Sequence, residues 1–199
     1  MDKILIETLD HLQQSYETNV QAAKELAENG ALLKLTVKQE ENTDCFNPRD
    51  WDNLGVMLCK HRRYALGDKH KIDVADCNGW GEVKEKIMDE VGLNAVILPL
   101  YLYDHSGITI STKPFNDVFD SRQVGFIYAA RNSEGLTVEQ ITDNLEGEVD
   151  LYDKYLRGEV YCYTITNQIT NEMVAECGGF FSEKEAQEEG ETALLNSDF

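Results

Sequence analysis

The chain has 199 residues with an apolar and aromatic share of 42%, and its 18 basic and 37 acidic residues give a formal net charge of −19. Its length allows a full hydrophobic core, and its charge argues against an exposed nucleic-acid-binding surface, because the phosphates would be repelled. No apolar run approaches the roughly 20 residues of a membrane span, and the acidic N-terminus is unlike a secretory signal, so we expect a cytoplasmic protein.

The apolar spacing of residues 3–29 predicts one amphipathic helix, which ends at Asn29-Gly30. Its apolar face needs a surface to pack on. That surface is either the rest of the chain or a partner, and a second copy bound there would make a homo-oligomer through residues 1–30.

Short apolar or alternating runs predict strands at residues 31–39, 54–59, 95–104, 107–115, 123–131, 160–167 and 172–181. Helices are predicted at 82–94, 136–159 and 183–195. The second of these opens with a capping box, Thr137 and Gln140, and Ser182 caps the last. This order has no regular alternation of strands and helices. We therefore predict an α+β fold with a mainly antiparallel sheet, in which residues 31–199 form one domain and residues 1–30 an appended helix.

The cysteines are odd in number, widely spaced and without a CxxC pair, which argues against both a disulfide framework and a zinc site. We expect reduced thiols in the core. They are Cys45, Cys59, Cys77, Cys162 and Cys177.

Residues 47–68, NPRDWDNLGVMLCKHRRYALGD, concentrate polar and aromatic side chains around an apolar run. Asp52 and His61 could supply chemistry, but an extended segment between them would separate them by about 30 Å. The alternative is a structural frame, because polar residues at strand ends commonly satisfy backbone groups. In that interpretation Trp51 and Tyr64 anchor the segment, Asp52 and Asn53 cap backbone groups, and Arg62 and Arg63 pair with acids.

Residues 103–107, YDHSG, place a His between an Asp and a Ser at a strand end, a combination that serves acid–base or nucleophilic catalysis when the groups converge. The alternative is a polar turn in which Asp104 and Ser106 bond to the backbone and Gly107 supplies a positive φ. The two segments together offer a second hypothesis, a metal-assisted hydrolase or nuclease. Its candidate residues are Asp52, His61, Asp104 and His105, to which Asp68 and Asp120 could add carboxylates. No HxH or HExxH spacing supports this metal site. We therefore assign no catalytic residue, metal or cofactor, and keep these four residues only as an alternative.

Acidity is concentrated toward the C-terminus, where residues 131–199 carry 4 basic and 16 acidic residues. Such a surface could attract a basic nucleic-acid-binding groove on another protein, or it could simply be solvated. The predicted partner-binding residues are Glu183, Glu185, Glu188, Glu189, Glu191, Glu139, Asp143, Glu146 and Glu148.

The segments NPRDWDNLG, HRRYALGD, LPLYLYDHSGITISTKPF and FDSRQVGFIY resemble a family of uncharacterised proteins from bacteriophages and mobile elements of bacteria. The likeness continues through GEVDLYDKYLRGEVYCYTI to ECGGFF and so covers residues 31–181, with FDS at 119–121 as a departure. This resemblance implies an accessory protein that inhibits a host defence enzyme, such as a DNA mimic directed at restriction or CRISPR nucleases. Our first hypothesis is therefore a non-enzymatic protein that binds a basic host protein through its acidic surface and does not itself bind nucleic acid. An oligomeric structural protein is the third.

Overall fold

The computed structural model describes residues 11–22, 32–105, 107–116, 121–131 and 135–196. The chain divides into two compact units, one formed by residues 1–41 with 160–199 and the other by residues 42–159. Each unit contains its own antiparallel sheet. The fold is thus α+β, as predicted, while the single domain proposed for residues 31–199 stays a prediction.

The first unit contains a three-stranded sheet in the order β1-β6-β7. Its strands are β1 (Leu33–Gln39), β6 (Tyr161–Asn167) and β7 (Met173–Phe180), and the last two form the predicted hairpin. The helix α4 (Glu183–Asn196) packs on β1 and β6. A Cβ on Gly190 would lie 2.6 Å from Leu35 Cδ1, so the absence of a side chain lets α4 lie close to the sheet.

Residues 11–22 of the predicted N-terminal helix are helical and form helix α1 in the structure. The rest of the predicted span, residues 3–10 and 23–29, lies outside the described residues. Two residues of its predicted apolar face, Leu12 and Tyr16, are 61% and 70% exposed. The homo-oligomer through residues 1–30 stays a prediction.

The second unit contains a four-stranded sheet in the order β2-β5-β3-β4. Its strands are β2 (Val56–Cys59), β3 (Val96–Asp104), β4 (Ile108–Ser111) and β5 (Ser121–Ala129). One face of this sheet packs against α3 (Val138–Leu156) and the other against α2 (Trp80–Val91). The predicted capping box at the start of α3 is confirmed by hydrogen bonds in both directions between Thr137 and Gln140.

Strand β5 is buried on both faces, because its side chains alternate between the two helices. Ile127 packs in the core beneath α3, whereas Phe126 and Tyr128 pack with Val83 and Ile87 of α2. A Cβ at Gly125 would overlap the carbonyl oxygen of Leu58, so this glycine permits the close approach of β2. The end of β2 and residues 60–63, the basic segment that follows it, are thereby fixed against β5.

No helix within the described ranges is long and apolar enough to cross a membrane.

Candidate functional site

The strand order of the second unit brings the two predicted motifs together. Strands β2 and β3 both flank β5, and beyond the end of β2 the backbone N–H of Lys60 still donates to the carbonyl of Val124 at 2.7 Å. The Arg63 guanidinium forms an ion pair with Asp104, and the Tyr64 hydroxyl donates to Asp104 Oδ1 at 3.3 Å. The HRRY segment therefore contacts the YDHSG segment.

His61 and Asp104 line the same cavity, which has a volume of about 480 Å³. The His61 ring stacks on Tyr64 with centroids 4.9 Å apart, and its Nδ1 accepts the backbone N–H of Arg63 at 3.3 Å. Since Nδ1 is an acceptor, a neutral His61 carries its proton on Nε2. The imidazole is thus held in one orientation by its neighbours.

The other two residues of the hydrolase hypothesis do not join this cavity. Asp52 lies in an exposed loop before β2, and His105 is exposed beyond the end of β3, with its ring 6.0 Å from that of Tyr103. Within the described residues no three His, Cys, Asp or Glu side chains are grouped to hold a metal ion. Of the four residues, the structure thus places only His61 and Asp104 along one cavity, and the hydrolase hypothesis stays a prediction. Ser106 and Asp120 lie outside the described residues.

The turn between β3 and β4 agrees with the structural alternative for YDHSG. Strand pairing continues to Asp104 opposite Ile108, and the N–H of His105 donates to the carbonyl of Gly107 at 3.1 Å. Gly107 has a φ of 145°, so the predicted positive φ at this position is confirmed.

The main polar cluster of the second unit surrounds Arg49, which the sequence prediction did not single out. Its guanidinium donates to both carboxylate oxygens of Asp68, at 2.9 and 2.6 Å, and to Glu148 Oε2 at 2.8 Å. A fourth hydrogen bond, 2.7 Å long, reaches the carbonyl of Gly55. The carboxylates in turn accept backbone N–H groups, Asp68 from Met57 and Glu148 from Leu54 and Gly55. This cluster fixes the entry to β2.

Burial by itself would lower the pKa of Arg49, but the hydrogen bonds to Asp68 and Glu148 outweigh it and raise the pKa. The Arg49 side chain is only 3% exposed, and those of Asp68 and Glu148 are 19% and 15% exposed. Glu148 must accordingly be removed from the predicted partner-binding residues, because its carboxylate is bound within its own unit.

The remaining predictions for residues 47–68 are confirmed in part. The Asn53 amide donates to the carbonyls of Pro48 and Trp51, and Arg63 pairs with an acid. Tyr64 packs against the core. Trp51, however, is 49% exposed and is not a buried anchor. The buried anchor of this segment is Arg49 instead.

The acidic residues of α4 form an exposed face that we call the α4 acidic face. It comprises Glu183, Glu185, Glu188, Glu189 and Glu191, all of which are exposed, while Ala186 and Gly190 are buried beneath them. One of these carboxylates pairs with a neighbouring cation, Glu188 with Lys184 at 2.9 Å, and Glu191 accepts from the Gln187 amide at 2.6 Å. The small buried residues hold the helix close to its sheet, so the carboxylates are presented on a packed support.

The predicted acidic residues of α3 belong to the second unit. Glu139 and Asp143 are exposed, and Glu146 is half-buried with its carboxylate 3.7 Å from Lys113 Nζ. The two acidic sets thus lie in different units, and the α4 acidic face is the more uniformly exposed.

Comparison of the chain with models of protein families, with curated proteins and with solved structures finds no match.

Proposed function

We propose that this chain is an accessory protein of a phage or mobile element that acts in the host cytoplasm by binding a host protein. The partner is a nucleic-acid-targeting defence enzyme with a basic groove, and the contact is made by the α4 acidic face. The protein acts as a DNA mimic in this proposal and needs no catalytic residue of its own.

The charge density of α4 is the observation that carries the proposal. Glu183 to Glu191 span about 12 Å of helix axis at 1.5 Å per residue. Five carboxylates over that length amount to roughly one per 2.4 Å, or one per 3 Å once Lys184 is subtracted. Duplex DNA carries about one negative charge per 1.7 Å of axis, and a single strand about one per 3.4 Å. The helix therefore lies within the range to which a DNA-binding groove is adapted.

The support of the helix adds to the same proposal. Side chains three and four positions apart on a helix have Cβ atoms about 5–6 Å apart, so Glu185, Glu188 and Glu189 form one contiguous group. Complementary charge accelerates encounter and weakens with added salt. Because Ala186 and Gly190 keep the helix on its sheet, little ordering is needed when a partner binds.

The test is affinity capture from host lysate with three forms of the full chain. The first form is the natural chain. The second, the α4 variant, carries Glu185→Gln, Glu188→Gln and Glu189→Gln. The control has Glu85→Gln, Asp89→Asn and Glu90→Gln on the exposed part of α2, which removes the same charge elsewhere. We expect the natural and control chains to capture nucleic-acid-binding proteins that added duplex DNA displaces, and the α4 variant to lose them. Capture that duplex DNA does not reduce, or that the α4 variant retains, would contradict the proposal.

A further inference from the structure

We infer that the cavity at the end of β2 binds a compact anion that carries phosphate groups. This site lies wholly within residues 42–159 and uses no residue of α4, so it is independent of the proposed function. Its polar lining includes Lys60, His61, Arg62, Arg63, Asp104 and Arg122.

The charge of the lining is opposite to that of the chain. Among the described residues, four of the 18 lysines and arginines line this one cavity together with a single carboxylate, although acids outnumber bases about twofold in the sequence. That carboxylate, Asp104, is already paired with Arg63. Lys60, Arg62 and Arg122 form no ion pair within the described part of the chain. About three positive charges are left uncompensated there.

Placing like charges together costs electrostatic free energy, and an acidic chain has many carboxylates that could relieve it. The fold does the opposite, because β2 and β5 bring cations from distant parts of the sequence to one place. Lys60 and Arg62 follow β2, while Arg122 lies on β5, some 60 residues later. An anion bound between them would supply the missing compensation.

The floor of the cavity strengthens its attraction for a charged ligand. Leu102 and Val124 line it and are each only 2% exposed. An apolar wall keeps water away on one side and focuses the field of the surrounding cations. His61 adds a further donor, because its Nδ1 accepts the backbone N–H of Arg63 and leaves Nε2–H to face a ligand.

About three uncompensated cations match an anion of several negative charges, such as a group of phosphates, better than a single carboxylate. Arginine guanidinium groups bind phosphate oxygens in pairs, and two of the uncompensated cations are arginines. A volume of about 480 Å³ lies within the range of small-molecule sites, about 300–1,000 Å³. A long nucleic acid would be repelled by a chain of net charge −19, so a compact ligand with two or three phosphates fits better.

The experiment is isothermal titration calorimetry of the full chain at low ionic strength with pyrophosphate and with ATP, both without magnesium. We expect saturable, sub-millimolar binding of at least one of the two. Tighter binding of ATP would show that a third phosphate or the nucleoside adds to recognition, and equal or weaker binding would identify the diphosphate group alone, with both results supporting the site. Absence of saturable binding for both compounds at millimolar concentration would overturn it.

Variants then locate the binding. Arg62→Gln with Arg122→Gln should weaken it at least about tenfold, because two charge-assisted contacts are lost. The control, Arg131→Gln with Lys84→Gln, removes the same charge from exposed positions outside the cavity and should change affinity less than about twofold. Equal weakening in the two variants would contradict a localised site. The cavity variant should unfold at an unchanged or higher urea concentration, since its repulsion is relieved, and a clearly lower midpoint would point to a structural role instead.

Discussion

Replacing Arg49 by Met removes the cation between two partly buried carboxylates and should strongly destabilise residues 42–159. The natural side chain makes four hydrogen bonds, of which three join charged groups, to Asp68 twice and to Glu148 once. Removing one partner of a buried ion pair typically costs about 3–5 kcal/mol, because the remaining charge is left uncompensated. Both carboxylates keep their backbone N–H donors, so we expect a loss of about 3–5 kcal/mol rather than more.

Tryptophan fluorescence in urea measures this loss, because both tryptophans of the chain, Trp51 and Trp80, belong to the second unit. With a slope of about 1–3 kcal/mol per molar urea, a loss of about 3–5 kcal/mol should lower the midpoint by roughly 1–5 M. The matched control is Arg131→Met, which alters an exposed arginine of the same unit and should change the free energy of unfolding by less than about 0.5 kcal/mol. A loss below about 1 kcal/mol for Arg49→Met would refute the view that this cluster holds the entry to β2.

Three further predictions use the same unfolding measurement. Gly125→Ala places a methyl group against the Leu58 carbonyl and should cost at least the roughly 1–3 kcal/mol of an overpacked core, so a midpoint equal to the natural chain would contradict the β2–β5 contact. Thr137→Ala removes the cap of α3 and should cost about 1 kcal/mol, whereas Thr137→Ser should restore most of it. Burial raises the pKa of Cys59 from its ordinary value of 9.0 to about 12. The folded state therefore keeps a proton that the unfolded chain loses, so the free energy of unfolding should fall between pH 9 and 12. Cys59→Ala should show a shallower fall, and identical slopes in the two chains would contradict this assignment.

Secondary structure was predictable here because it depends on local spacing. The β6–β7 hairpin, the α3 capping box and the positive φ at Gly107 each follow from residues within a few positions of one another. Two of the expected core thiols, Cys59 and Cys162, are buried, whereas Cys45 and Cys177 are exposed. The spacing of cysteines excludes patterns but does not report depth.

The candidate sites depend on contacts between distant residues, which no local pattern encodes. Arg49 reaches Glu148 across about 100 positions, and the prediction therefore treated Glu148 as a surface acid. His61 and Asp104 line the same cavity only because β5 lies between β2 and β3 in the sheet. The sequence did contain one usable signal for the cavity. His61-Arg62-Arg63 is a basic run in an acidic chain, and of its two arginines Arg63 pairs with an acid in the described part of the chain while Arg62 does not.

The most direct test of the central proposal is carbodiimide labelling of carboxylates in the complex with the captured partner, mapped by mass spectrometry. We expect Glu185, Glu188 and Glu189 to become protected when the partner is bound, while Glu85 and Asp89 on α2 are labelled as in the free chain. Unchanged labelling of the α4 acidic face, or protection of α2 in its place, would contradict it.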